Sequence, residues 1–432
     1  MASTSSPITP QRIVCTAPGK LILFGEHAVV YGKKAVATAL SDLRTKVILS
    51  VDETHPGHVD FYAPSVGIDH EAKVDMEEVK SVVKDYSIPS MMMDTSGGNG
   101  MESMYGEAFK PNREVVEALL KLARKVYYPK EDVRRDGNGT PSESDPKVIS
   151  VVAVLYLILL LDPELKIGIR VELSNNNLPI GAGLGSSASF SVCLVAAVLM
   201  LLRPNLMNHQ LINTEDETTL EHINRWAYFV ESLIHGTPSG IDNSVGTYGG
   251  VLSFAKGQVM EHLSPTILPT MRILIVNTRV ERNTKLIVQR VREAREVDFE
   301  SVESRLNEIQ EISDAYLKLL RENYEKHSME KTVPFTSELR RDMERFIDRN
   351  HILLNEIGTG HLKLDIICDI AAKYGLHAKL TGAGGGGCAF VLLEDEESEK
   401  EALLKKDLEK EGFEHFMSNS VAGSGVRCEE CK

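Results

Sequence analysis

Pro179-Ile180-Gly181-Ala182-Gly183-Leu184-Gly185-Ser186-Ser187-Ala188-Ser189, residues 179–189, is the stretch on which the reading of this chain turns. Ahead of it, Lys166 to Leu173 alternates Ile167, Ile169, Val171 and Leu173, the period of a half-buried strand. Behind it, Ala188 to Leu202 is apolar enough for a buried helix. Between the two, Gly181, Gly183 and Gly185 free the backbone, while Ser186 and Ser187 supply hydroxyls and can cap N–H groups. A glycine loop that opens a helix aims unpaired N–H groups at one place and makes an anion site. The spacing fits neither Gly-x-x-x-x-Gly-Lys-Ser/Thr nor the dinucleotide fingerprint with its following strand and acidic residue, which leaves a phosphate cradle of another kind.

Three further segments are similarly rich in glycine. The first is Ala17-Pro18-Gly19-Lys20 running on to Gly25-Glu26-His27, the second runs from His235 to Gly250, and the third is Lys379 to Phe390 with Gly382 and Gly384 to Gly387. In this order they resemble the GHMP kinase superfamily, named for galacto-, homoserine, mevalonate and phosphomevalonate kinases. Lys20 followed by Gly25-Glu26-His27-Ala28-Val29-Val30-Tyr31-Gly32 is similar to the branch that phosphorylates mevalonate. Galactokinases show an Arg-rich opening instead, and phosphomevalonate kinases typically lack the Glu-His. The resemblance spans nearly the whole chain, leaving out residues 1–11, the polar stretch near 130–147 and the last few residues.

What the resemblance implies is an α+β two-domain GHMP kinase fold. A ribosomal S5 domain 2-like N-terminal domain (1–264) would carry the ATP and Mg²⁺ site, and a ferredoxin-like C-terminal domain (265–432) would close the cleft. The implied activity is ATP-dependent phosphorylation of (R)-mevalonate to 5-phosphomevalonate in isoprenoid and sterol biosynthesis, by direct transfer without a covalent intermediate. The resemblance also implies a homodimer and inhibition by prenyl diphosphates that compete with ATP. The rivals are a sugar kinase of the same superfamily, against which Glu26-His27-Ala28-Val29-Val30 argues, and a silent sensor that retains the fold.

Composition bounds the answer independently. The chain has 432 residues, 42% of them hydrophobic and 25% charged, enough for two or three domains with a sizeable core. A net charge of −14 gives no general attraction to nucleic acid or anionic membranes, so affinity for a nucleotide must be built locally. The longest apolar run, Val148 to Leu161, is shorter than the roughly 20 residues a membrane span needs. No export or organelle signal is visible at the amino terminus, and Cys431-Lys432 forms neither a peroxisomal address nor a prenylation box. A cytoplasmic protein is expected, with a peroxisomal pool left open. Of six cysteines, Cys15, Cys193, Cys368 and Cys388 read as reduced packing residues, and Cys428 with Cys431 is half of a zinc site without its other half.

Strands are expected at Arg12–Thr16, Lys20–Phe24, Ala35–Leu40 and Arg44–Val51, and helices at Arg113–Tyr127, Lys147–Leu161 and about Glu215–Ile234. Beyond residue 265 come a strand (Met271–Val276), helices at about Lys285–Leu320, Ser337–Glu356 and Leu362–Tyr374, and two strands flanking Gly382 to Gly387. Asp94 to Gly100 and Asp136 to Pro146 read as loops, the first a surface loop or a cover over the nucleotide.

Phosphoryl transfer needs a phosphate cradle, a metal held by oxygens, a cation and a group near the attacking hydroxyl. The backbone of Gly181, Ala182, Gly183, Leu184, Gly185, Ser186 and Ser187 is the cradle. By the resemblance, Ser187 and Glu231 contact Mg²⁺, Asp242 lies beside the acceptor hydroxyl with Lys20 close by, and Glu26, His27 and Thr284 line the acceptor site. Asp242 can remove the proton or stabilise charge with Lys20, and the sequence does not separate the two. Each residue has a blander reading: Ser187 a helix cap, Glu231 a surface carboxylate, Lys20 an exposed charge after a Pro18-Gly19 turn, His27 a partner for a buried carbonyl, Thr284 an N-cap.

Overall fold

The computed structural model describes residues 12–68, 73–86, 110–127, 145–176, 178–203, 216–236, 238–255, 260–265, 268–280, 283–330, 332–418 and 420–431. The loop expected at Asp94–Gly100, most of the polar stretch near 130–147 and residues 1–11 lie outside them.

The first half of the chain builds one sheet and the helices that cover it. In order come β1 (Arg12–Phe24), β2 (Ala35–Asp52), β3 (His58–Tyr62), β4 (Lys73–Asp75), α1 (Met76–Val83), α2 (Arg113–Tyr127), α3 (Pro146–Leu161), β5 (Gly168–Asn176), α4 (Ser186–Leu202), α5 (Glu217–His235), α6 (Ile241–Tyr248), β6 (Val251–Phe254) and β7 (Glu261–Leu263). The second half runs β8 (Ile273–Asn277), α7 (Thr284–Val297), α8 (Phe299–His327), α9 (Ser337–Glu356), α10 (Leu362–Lys373), β9 (His377–Thr381), β10 (Cys388–Leu392), α11 (Glu399–Lys410), β11 (Glu414–Ser418) and β12 (Arg427–Cys431).

Among the described residues the first sheet has eight strands in the order β12-β1-β2-β5-β3-β4, with β6 on β2 and β7 on β6. Two helices, α3 and α4, are buried almost all round because they are the middle layer, pressed between this sheet and the outer helices. Asp145 starts α3 by accepting the Lys147 N–H, with Pro146 in the first turn where its missing N–H costs nothing. The second sheet is antiparallel, in the order β11-β8-β10-β9. In chain order that is fourth, first, third, second, the ferredoxin-like arrangement expected for the second lobe.

Several boundaries differ from the sequence reading, each for a physical reason. Pro18-Gly19 does not turn the chain, and the two strands expected on either side of it are one, β1. A register shift between Pro18 and Gly19 absorbs the proline. Likewise Ala35–Leu40 and Arg44–Val51 merge into β2, whose ends pair with different strands, β6 and β5. The long helix after Lys285 breaks at Asp298, which ends α7 and caps α8 by accepting the Ser301 N–H. Cys15 is not a reduced packing residue: it lies opposite Cys428 across β1 and β12, and the two form a disulfide. That pairing also removes Cys428 from any zinc site, while Cys193, Cys368 and Cys388 form no disulfide among the described residues.

The two lobes are not separate cores. Leu21, Leu23 and Phe24 of β1 pack in one apolar cluster with Leu274, Ile275 and Phe390 of the second sheet. Phe24 meets Tyr316 and Phe346 edge-on, with ring centroids 5.1 and 6.1 Å apart. The chain then crosses back: β12 joins the first sheet, and the buried Arg44 guanidinium donates to the carbonyls of Thr16, Ser424 and Gly425. No described helix is long and apolar enough to cross a membrane.

The return segment has no room for a side chain at Gly425, where a Cβ would lie 1.9 Å from the Thr247 carbonyl oxygen. Since the atoms it would strike are backbone and cannot swing aside, Gly425→Ala is expected to lower unfolding stability by about 3 kcal/mol. A urea denaturation midpoint within error of the wild type would show that the segment can move aside.

Candidate active site

The site begins where β1 loses its neighbour. β12 covers β1 only from Arg12 to Thr16, and beyond the shift at Pro18 the edge meets the glycine loop, with Lys20 N–H donating to Leu184 O at 2.8 Å. This close approach puts the Lys20 side chain under the start of α4. Asp242 reaches the same place from the first turn of α6, a helix that Gly240 opens in the left-handed conformation (φ 80°). Lys20 Nζ is 3.1 Å from Asp242 Oδ1, with Lys20 mostly buried and Asp242 about one-third exposed.

Gly185 is the third member of this junction. Its φ of +74° is a conformation that side chains resist, and an added Cβ would sit 2.9 Å from Lys20 Cγ and 3.7 Å from Asp242 Oδ2. Gly181 and Gly183, also at positive φ, shape the rest of the loop, while the side chains of Ala182 and Leu184 point away into the core shared by the lobes. Ser186 and Ser187 open α4, so the free N–H groups and the positive end of the helix face the cleft.

Glu231 is no surface carboxylate. Its side chain is 5% exposed and lies behind the glycine loop, accepting from Ser191 Oγ at 3.0 Å and from Ser187 Oγ at 3.4 Å. Burial, then the like charge of Asp242, pushes its carboxyl up to about 8, against the two serine hydrogen bonds. Glu231 meets the Ser187 hydroxyl and feels the negative charge of Asp242, so hard oxygens that could take a cation lie beside the glycine loop. The described residues contain no cluster of three or more His, Cys, Asp or Glu that would cage a metal. That suits an ion such as Mg²⁺, which takes one or two protein oxygens and fills its sphere with phosphates and water.

On the opposite wall stand Glu26, His27 and Thr284. Glu26 is buried against Lys379, whose Nζ donates to Glu26 Oε1 at 2.5 Å. His27 is held at a positive φ of 60°, and its Nε2–H donates to the Ala383 carbonyl at 2.8 Å while the ring still borders the cleft. Burial lowers its pKa below 6.5, so the ring is neutral. Thr284 is the first residue of α7, and the N-cap is Asn283, whose side chain accepts the Leu286 N–H. Thr284 is therefore free of the capping task and lines the cleft.

A cleft of about 600 Å³ gathers most of these groups: Lys20, Glu26, His27, Gly181, Gly183, Gly185, Ser186, Ser187, Asp242 and Thr284 border it. Ala182, Leu184 and Glu231 sit behind its lining. The sequence reading missed its apolar end, made by Val66, Pro146, Ile149, Leu173, Phe190 and Ile234. Those six come from five separate segments, only Pro146 and Ile149 sharing one, and carry no local signal. It also missed His235, whose Nε2 is 3.0 Å from Ser187 Oγ, although His235 stands at the head of one of the glycine-rich segments.

A glycine loop feeding a helix, a lysine–aspartate pair beneath it and a ferredoxin-like second lobe together define a small-molecule kinase of the GHMP class. Accordingly, the family profile for the GHMP kinases N terminal domain matches residues 150–250, and that for the GHMP kinases C terminal matches residues 335–405. Mevalonate kinases from Bos taurus and Homo sapiens are each 36% identical to this chain over 426 residues, covering 96% of it and 94% of each of them. The chain belongs to the mevalonate kinase family. The crystal structure of the Methanococcus jannaschii mevalonate kinase is similar in fold, with a TM-score of 0.61 at 24% identity over 97% of this chain and 98% of that one. The family's chemistry is ATP-dependent phosphoryl transfer.

Two outcomes follow from this geometry. Gly185→Ala is expected to cost about 1 kcal/mol in stability, while displacing Lys20 and reducing kcat about 100-fold; unchanged kcat would remove the glycine loop from control of the lysine. For His27, the folded value lies below the unfolded one, so its stability contribution is complete above pH 6.5 and is lost as pH falls through the depressed value. His27→Gln is therefore expected to flatten the fall of the urea midpoint as pH drops below 6.5, and an unaltered slope would refute this.

Proposed function

We propose that the protein transfers the γ-phosphoryl group of ATP to the 5-hydroxyl of (R)-mevalonate, yielding 5-phosphomevalonate for isoprenoid and sterol biosynthesis. The observation that carries the reading is the Lys20–Asp242 pair at 3.1 Å, directly beneath the glycine loop. ATP lies with its phosphates on the N–H groups of residues 181–187 and its base toward the apolar end near Ile149 and Phe190. The amino-terminal lobe, residues 1–264, supplies these groups together with Glu26 and His27 of the opposite wall, and the lobe from 265 onward adds Thr284, Gly382 and Ala383 to that wall.

Asp242 takes the proton of the attacking hydroxyl, and the Lys20 ammonium stabilises the alkoxide that forms and the charge on the transferring group. Glu26, His27 and Thr284 hold the rest of the acceptor. Ser187 and Glu231 would hold Mg²⁺, which when bound would neutralise phosphate charge. Transfer is in line, from nucleotide to acceptor, and the sites on the two walls of one cleft support this single step. The protein is a cytoplasmic homodimer in this reading, and prenyl diphosphates compete with ATP for the phosphate cradle and the apolar end.

A coupled ADP-release assay offering mevalonate, phosphomevalonate, galactose and homoserine separately tests the assignment. Turnover is expected with mevalonate alone, to stop with EDTA, and to fall about 1,000-fold in kcat for Asp242→Asn. Use of another acceptor would discard mevalonate, and full activity of Asp242→Asn would discard the base. Light scattering showing a monomer would remove the dimer, and inhibition by farnesyl diphosphate that ATP does not relieve would remove the competition.

A further inference from the structure

Lys379 opens the last of the glycine-rich segments, yet the reaction just described gives it no task. It lies three residues before the glycine run, on β9 of the second lobe, and it is 0% exposed. Its Nζ donates to Glu26 Oε1 at 2.5 Å and to the Leu380 carbonyl at 2.8 Å, between the rings of Phe390 (5.3 Å) and Phe24 (5.8 Å). Glu26 is equally buried, and its second oxygen, Oε2, has no hydrogen-bond partner among the described residues. A buried ion pair is poor evidence for a stability role, because apolar residues of similar size serve as well or better. A pair with one oxygen tied and the other unsatisfied, on the wall of a binding cleft, is better explained by a ligand.

The contact is also part of a series. Residues 379 and 381 are two apart on β9 and so face the same way, and Ala383 follows in the glycine turn with its backbone carbonyl. Each one grips the acceptor wall of the first lobe: Lys379 holds Glu26, Thr381 Oγ1 donates to Ile22 O at 2.9 Å, and Ala383 O accepts from His27 at 2.8 Å. The second lobe thus sets where Glu26 and His27 stand.

We infer that Lys379 is a positioning residue for the acceptor: its ammonium keeps Glu26 charged and fixed by Oε1, so that Oε2 is left to accept a hydrogen bond from an acceptor hydroxyl. This rests on the assignment of Glu26 to the acceptor wall. An ionised carboxylate is acceptor-only, so it selects a hydroxyl and repels a carboxylate at the same spot. Without the lysine, Glu26 would face burial alone and take up a proton, turning an acceptor into a donor. The nucleotide side of the cleft touches neither residue, so its affinity should not notice the change.

The test is a double-mutant cycle in the full chain with Lys379→Met, Glu26→Gln and both together, measuring kcat and both KM values. Lys379→Met is expected to raise the KM for mevalonate at least tenfold and leave the KM for ATP within about twofold. In the Glu26→Gln background the same change should add less than about twofold, since there is no charge left to hold. Equal rises in both KM values, an unchanged KM for mevalonate, or full additivity would overturn the inference. If Lys379→Met does not fold, the double variant compared with Glu26→Gln decides it, and failure of the double variant to fold would assign the pair to stability instead. The wild type run in parallel separates the two readings: turnover of a different acceptor counts against mevalonate, and the cycle is then read on that acceptor.

Discussion

The hydrogen bond from Lys20 N–H to Leu184 O is the contact on which the site depends. It joins an otherwise unpaired strand edge to a loop that would otherwise have no fixed height above the sheet. Gly19 and Gly185 flank it, and a Cβ on either would strike the opposite chain: Leu184 O at 2.7 Å from the first, Lys20 Cγ at 2.9 Å from the second. Backbone proximity therefore brings a cation, the N-terminus of α4 and, through α6, the Asp242 carboxylate to one point. Moving any of the three requires moving a strand or a helix, which is what catalytic positioning demands.

Electrostatics in the cleft run against the charge of the whole. The chain carries −14, yet Lys20 and a helix N-terminus stand at the glycine loop, so attraction for phosphate is local. The carboxylates differ in their partners. Asp242 is paired with Lys20; burial raises the pKa of Glu26 against the opposing pull of Lys379; and Glu231, with only two serine hydroxyls and with His235 3.9 Å from Oε2, is pushed up to about 8. A cation at Ser187 would relieve both its burial and its repulsion with Asp242.

Coupling of the lobes follows from the same economy of contacts. The apolar core runs through β1 into the second sheet, β12 returns to the first, and residues 379–383 clasp the wall that carries Glu26 and His27. The placement of the second lobe and that of Glu26 and His27 are therefore tied together. The strained His27 backbone, at φ 60°, sits at this clasp, where the surrounding contacts can hold a conformation the residue alone would leave.

Much of this was legible in the residues themselves. Glycine runs, a strand period of two and helix caps are local properties, so the phosphate loop, helices such as Arg113–Tyr127 and Ser337–Glu356, and the two-lobe order could be read directly. The merging of strands around Pro18-Gly19, the break at Asp298 and the Cys15–Cys428 bond could not, because each depends on a neighbour far along the chain. The site divides the same way. The kinds of group needed for phosphoryl transfer were present in the sequence with their spacing. Which of them meet, that Glu231 is buried, that Asn283 rather than Thr284 caps a helix, and that Lys379 stands behind Glu26 were decided by tertiary structure alone. Burial and pairing are relations between distant segments, and they determine the charge and orientation on which the chemistry rests.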